Sequence, residues 1–99
     1  MKAFFCKLVP PRPTFAQDMT DAERGLMQEH AAYWQDWMGR GHVVTFGLVA
    51  DPAGAFGIAV VEVNEEAEVL SLTRNDPTVV SGQGFRFEIY PMPVGAAHR

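Results

Sequence analysis

The spacing of apolar positions changes along the first half of the chain, and each change marks a predicted element. Residues 2–9, KAFFCKLV, are rich in aromatic and β-favouring side chains and run into a proline cluster. They predict a strand followed by a loop to about Asp18. Thr20 and Glu23 then have the spacing of a capping box, which predicts a helix over about residues 21–38.

One face of this predicted helix is apolar, with a histidine in the middle of it. At roughly 100° per residue, that face carries Leu26, Met27, His30, Tyr33, Trp34, Trp37 and Met38. A neutral imidazole in such surroundings needs a hydrogen-bond partner, because leaving it unpaired costs about 1 to 3 kcal/mol. His30 therefore predicts a polar partner elsewhere in the chain.

The second half of the chain predicts two strands, a helix and a last strand. Residues 42–50 and 55–63 are strand-like runs joined by DPAG, which is typical of a β-turn. A helix is predicted over 64–74, with Asn64 as its N-cap. Residues 84–90 alternate apolar and polar side chains, which predicts a strand with one wetter face.

The resulting order, β-α-β-β-α-β, is that of a ferredoxin-like α+β fold. This fold is a four-stranded antiparallel sheet with both helices on one face. With 99 residues, the chain is expected to form one domain over 1–99. Both hairpin strands are apolar on each side, so the sheet face without helices would be left in water. Covering each large side chain there is worth about 1.5 to 3 kcal/mol, which predicts a homodimer with its sheets stacked face to face.

Composition excludes several other classes of protein. The formal net charge is −4, and the eight lysines and arginines are scattered, so we expect no nucleic-acid partner. Cys6 is the single cysteine, and His42 and His98 have no metal-ligand spacing, so neither a disulfide within the chain nor a metal site is expected. The apolar N-terminal stretch is broken by Lys7 and Pro10, which predicts no signal peptide or membrane span and a cytoplasmic protein.

An Asp-Pro step, Asp76–Pro77, follows the second predicted helix. Its simplest interpretation is a turn that stops the helix. In a ferredoxin-like fold, however, the two helices lie side by side, so the end of the second can lie near the first. A carboxylate close to His30 would orient the ring and favour its charged form, while burial opposes that charge. Such a balance suits general acid–base catalysis.

These residues resemble the YciI-like (YCII-related) family of dimeric α+β barrel proteins. The resemblance runs from about Arg24 to Met92 and rests on an ordered set of positions: His30 with Tyr33, Gly47, Glu65, Glu66, Asp76, Pro77 and Pro91. Two positions depart from the pattern. Met27 stands where family members often have an arginine three residues before the histidine, and Leu48 stands where a proline often follows the strand glycine.

The resemblance implies a pocket between helices and sheet in which His30 and Asp76 form an acid/base dyad. One branch of the family resembles chloromuconolactone dehalogenases, so lactone, dehalogenase or isomerase chemistry without a cofactor is implied. We expect the substrate to contact Trp34, Phe46, Gly47 and Phe85.

Three functions are consistent with this pattern. The first is a cofactor-free enzyme in which His30 removes a proton next to a carbonyl, with isomerisation or elimination to follow. The second is a homodimer that binds a small ligand or serves as a scaffold without catalysis, with His30 and Asp76 as a satisfied polar pair. The third is a cofactor-free monooxygenase of the same superfold.

Overall fold

Eight elements follow one another along residues 1–97, the part of the chain that this computed structural model describes. They are β1 (Lys2–Val9), α1 (Phe15–Asp18), α2 (Asp21–Gly39), β2 (Val43–Val49), β3 (Phe56–Val63), α3 (Glu66–Arg74), α4 (Pro77–Val80) and β4 (Arg86–Met92). His98, which was considered above as a metal ligand, lies outside the described residues.

The four strands form one antiparallel sheet in the order β2-β3-β1-β4. The first and third strands occupy the centre, where Phe4 faces Val61 and Cys6 faces Ala59 across the ladder. Both long helices pack on the face that carries these four side chains, since Trp34 of α2 and Val69 of α3 belong to the same buried cluster. The predicted ferredoxin-like α+β fold is therefore confirmed.

The long helix α2 has the start and the buried face that its sequence predicts. The Thr20 side chain accepts a hydrogen bond from the amide of Glu23, and the Glu23 carboxylate accepts one from the amide of Thr20, which completes the capping box. All seven residues of the predicted apolar face are buried or half-buried, and Trp34 is 1% exposed. Amphipathic spacing thus determines how this helix is rotated on the sheet.

The predicted loop after β1 is wrong in one respect, because it contains the short helix α1. Phe15 of this helix is buried and meets Phe85 edge to face at 5.2 Å between ring centroids. The Arg12 guanidinium donates to the carboxylates of both Asp18 and Glu23, so it ties the segment to the start of α2. A short apolar anchor and a long-range ion pair stabilise this helix rather than a repeating pattern.

Two predicted boundaries also need correction. The N-cap of α3 is Glu65 and not Asn64, and its side chain makes no capping hydrogen bond. The last strand runs over Arg86–Met92 instead of 84–90, so Pro91 lies within it, opposite Phe4. A proline is compatible with this strand because β4 is at the edge of the sheet, where one side of the backbone has no ladder partner.

The face of the sheet away from the helices carries apolar side chains together with charged ones, including Lys7 and Glu88, which are opposite each other on β1 and β4. Phe5, Ile58 and Val60 are half-buried on it, and Tyr90 is 51% exposed. Homodimerisation through this face stays a prediction. Within residues 1–97, no helix has the length and apolar character needed to cross a membrane.

Candidate active site

The candidate site is built around Asp76, which begins a helix instead of only ending one. Helix α3 is capped by Asn75, and Asp76 is the N-cap of α4, whose first residue is Pro77. The carboxylate oxygen Oδ1 accepts a hydrogen bond from the Thr78 amide and another from the Thr78 hydroxyl, both at 2.8 Å. Aspartate is a favoured N-cap and proline a favoured first helical residue, so Asp-Pro suits a helix start as well as a helix stop.

The other carboxylate oxygen of Asp76 faces the long helix α2. His30 Nδ1 lies 2.7 Å from Oδ2, and the indole Nε1–H of Trp34 donates to the same oxygen at 2.6 Å. His30 and Trp34 are four positions apart, so they lie on the same side of the helix, one turn from each other. The Asp76 side chain is completely buried and accepts four hydrogen bonds, two on each oxygen.

These hydrogen bonds keep the buried carboxyl group ionised. Burial by itself raises the pKa of Asp76, but the hydrogen bond and charge of His30, with the Trp34 indole and the Thr78 amide, outweigh it. The net effect is a pKa below the usual range for an aspartic acid. An ionised carboxylate can only accept hydrogen bonds, so Nδ1 of His30 must carry the proton in this contact.

The second nitrogen of His30, Nε2, is the one left for chemistry. No residue among 1–97 forms a hydrogen bond with it, whereas every fully buried polar side-chain atom in this part of the chain has a partner. The imidazole side chain is 15% exposed. When the ring is neutral with its proton on Nδ1, Nε2 presents a lone pair and can accept a proton.

The ring of His30 borders a cavity of about 250 Å³ between α1, α2 and the strands β1, β2 and β3. Its lining is almost entirely apolar and includes Leu8, Phe15, Met19, Met27, Phe46, Gly47, Leu48, Phe56 and Phe85. Three of the residues predicted to contact substrate, Phe46, Gly47 and Phe85, are therefore found around one cavity together with His30. Their contact with a substrate stays a prediction.

Trp34 and Asp76 lie behind this cavity and not on its surface. Trp34 borders a recess of only about 10 Å³, which it shares with His30 and Phe46. Asp76 contributes to neither lining and reaches the cavity only through the imidazole. The arrangement is layered, with the cavity in front, His30 in the middle and Asp76 with Trp34 at the back.

Some residues of the site carry no signal strong enough to find from the sequence. Phe15 and Met19 form a wall of the cavity, yet they lie in a proline-rich stretch without periodicity. Thr78 holds Oδ1 of Asp76, and here a signal exists, since a donor two residues after an aspartate is typical of a capping turn.

Fold and site together define a ferredoxin-like α+β protein with a histidine–carboxylate pair beside a small apolar cavity on the helix side of the sheet. The chain belongs to the family of the YCII-related domain, whose family model matches residues 3–93. The resemblance noted in the sequence is thereby confirmed.

Several solved chains are similar to this one, and the following structure matches nearly the whole chain. It is 5-chloro-2-hydroxyhydroquinone dehydrochlorinase from Burkholderia phenoliruptrix AC1100, in complex with 2,5-dihydroxybenzoquinone. The two share 18% sequence identity with a TM-score of 0.64, over 93% of this chain and 95% of the other. At this identity the likeness shows a common fold. No curated protein matches the sequence.

Proposed function

We propose that the protein is a cofactor-free enzyme that moves a proton on a small molecule, with His30 as the general acid–base residue. The observation that carries this proposal is the position of His30. One of its ring nitrogens is held by an ionised, buried Asp76, and the other is open beside a cavity of about 250 Å³. A positioned base next to a space for a small molecule is the arrangement that proton abstraction requires.

The reaction follows from the tautomer. Nε2 takes a proton from an acidic C–H or O–H of the bound molecule, and the imidazolium formed is stabilised by Oδ2 of Asp76 at 2.7 Å. The electron pair left on the substrate then has two outcomes. In an isomerisation, His30 returns the proton to another atom of the same molecule. In an elimination, a halide leaves with its bonding pair, and the net change is loss of hydrogen halide.

Elimination has support from the structural neighbour. That protein is named as a dehydrochlorinase, and its structure contains 2,5-dihydroxybenzoquinone. Loss of hydrogen chloride needs a base and a leaving group and neither oxidant nor reductant, which agrees with the groups around His30. The alternative of a non-catalytic binding protein predicts instead that His30 can be replaced without loss of any turnover.

The experiment is a turnover screen with matched histidine variants. A panel of chlorinated hydroquinones and chlorinated lactones is tested for chloride release and for solvent proton exchange. His30→Asn keeps an N–H that can reach Asp76 but removes Nε2, so we expect turnover to fall by about 10²- to 10⁴-fold, as for loss of a general base. His42→Asn is the control, because His42 meets the Trp37 ring edge to face and does not line the cavity.

Two outcomes would contradict the proposal. One is a His30→Asn protein that retains the turnover of the wild type. The other is the absence of both turnover and ligand-induced thermal stabilisation across the panel, which favours the scaffold interpretation. A ligand at about a hundred times its Kd adds roughly 2.7 kcal/mol to the free energy of unfolding, so binding without turnover would also be detected.

We further propose that two copies stack through the open face of the sheet. Phe5 and Tyr90 lie there with ring centroids 6.2 Å apart, beside the half-buried Ile58 and Val60. Such a face is stabilised when a second copy covers it. Sedimentation equilibrium is expected to give about twice the 10.9 kDa mass of one chain. A single-chain mass at micromolar concentration would contradict this assembly.

A further inference from the structure

Among residues 1–97, no charged side chain lines the cavity in front of His30. Apart from His30 itself, its side chains are aliphatic, aromatic, proline, glycine or methionine. Met27 is one turn before His30 on the same helix, and both residues line the cavity, so the side chain next to His30 along the helix is a thioether and not a cation.

The cations of neighbouring segments are engaged elsewhere. Arg12 binds the carboxylates of Asp18 and Glu23 at 2.7 to 2.9 Å. The Lys7 ammonium group lies over the Phe56 ring at 4.4 Å from its centroid. Neither residue contributes to the cavity lining. A carboxylate or phosphate that entered the cavity would therefore lose water without gaining an ion pair, which is strongly unfavourable.

The negative charge of Asp76, behind His30, also disfavours an anionic ligand. Asp76 is ionised and completely buried, and while the imidazole is neutral the pair carries a net negative charge. A second anion in the cavity would be repelled through a poorly polarisable medium. An uncharged molecule has no charge to desolvate and is not repelled by Asp76, and burying its apolar surface against the apolar walls stabilises the complex.

The size of the cavity narrows the class of ligand further. The cavity of about 250 Å³ is larger than the roughly 150 Å³ cavity that binds benzene and smaller than the about 300 Å³ at which drug-sized sites begin. We infer that this site takes an uncharged molecule of one or two rings that offers an acidic proton to His30, and that it excludes carboxylate and phosphate anions. This inference rests on the proposed function for the role of the proton, but the preference for uncharged ligands requires no turnover.

The experiment compares two ring molecules of similar size, chlorohydroquinone as the neutral probe and 2,5-dihydroxybenzoate as the anion. Their Kd values are measured by NMR titration under reducing conditions at pH 7. We expect the wild type to bind the neutral probe at least tenfold more tightly. Met27→Leu, the matched apolar control, is expected to keep that ratio, whereas Met27→Arg is expected to shift it at least tenfold toward the anion.

Leu48→Arg serves as a second variant in case the first does not fold, because Leu48 borders the cavity and is 70% exposed. It is expected to shift the ratio in the same direction. The inference is overturned if the wild type binds the anion as tightly as the neutral probe, if neither probe binds at millimolar concentration, or if an introduced arginine leaves the ratio unchanged. Because the readout is binding, a protein that shows the expected preference but no turnover would refute the proposed function and not this inference.

Discussion

Replacing Asp76 with asparagine perturbs the back of the site while preserving its shape. The carboxylate accepts four hydrogen bonds, from His30, Trp34 and the amide and hydroxyl of Thr78. An asparagine has one accepting oxygen and one donating NH₂ group. In its better orientation the oxygen faces His30 and Trp34, and the Thr78 hydroxyl turns to accept from the NH₂. The Thr78 amide N–H then remains buried without an acceptor.

The cost of Asp76→Asn can be estimated from these contacts. The stranded amide costs about 1 to 3 kcal/mol. The two remaining hydrogen bonds lose their charge-assisted character, which is worth roughly 1 kcal/mol each. Relief from burying a charge offsets part of this loss, but the lowered pKa of Asp76 shows that its partners outweigh burial. We therefore expect the free energy of unfolding at pH 7 to fall by roughly 2 to 4 kcal/mol.

The difference in stability between the wild type and Asp76→Asn is also expected to depend on pH. Because the pKa of Asp76 is lowered on folding, its charge stabilises the protein above the unfolded pKa of about 3.9. That contribution is lost as the pH falls through the folded pKa, so the difference between wild type and Asp76→Asn is expected to narrow below about pH 4.

Urea unfolding followed by tryptophan fluorescence measures both effects. Asp51→Asn is the matched control, because Asp51 is exposed and its side chain, among residues 1–97, accepts only from the Ala53 amide; an asparagine oxygen can accept that hydrogen bond as well. We expect this control to stay within about 0.5 kcal/mol of the wild type. An Asp76→Asn protein as stable as the wild type at pH 7 would refute the account of the site.

Two further predictions concern buried groups. Trp34→Phe keeps a ring but loses the 2.6 Å hydrogen bond to Asp76, so the free energy of unfolding should fall by about 1.5 to 3 kcal/mol in urea; a change under about 0.5 kcal/mol would count against it. Burial raises the pKa of Cys6 to about 12, so at pH 8 a thiol reagent should react only as fast as the protein unfolds. Rapid reaction with the folded protein would contradict that burial.

The sequence was most informative where a repeating pattern meets a polar exception. The apolar face of α2 follows from residue spacing alone, and His30 is conspicuous because it interrupts that face. Asp76 could be named as its partner because the fold class brings the end of α3 close to α2. The contact between these two residues, 46 positions apart, can thus be predicted from the topology of the fold and not from any local sequence signal.

The remaining features depend on geometry that spacing does not encode. Trp34 is predicted as an apolar side chain, and nothing in the pattern shows that its N–H meets the same oxygen as His30. Helix α1 has four residues, too few for a periodic signal, and it is tied down by Arg12. Asp and Pro are found both after the end of a helix and at the start of one, so only the structure shows that Asp76 is the N-cap of α4.

Nitrogen-15 NMR of the His30 ring tests the central claim most directly, because it reports which ring nitrogen carries the proton. In the neutral ring we expect the proton on Nδ1, toward Asp76, and a bare Nε2, whose resonance shifts when chlorohydroquinone is added. In Met27→Leu the tautomer is expected to be unchanged. A proton on Nε2 with a bare Nδ1, or an Nε2 resonance that no ring ligand moves, would contradict the account.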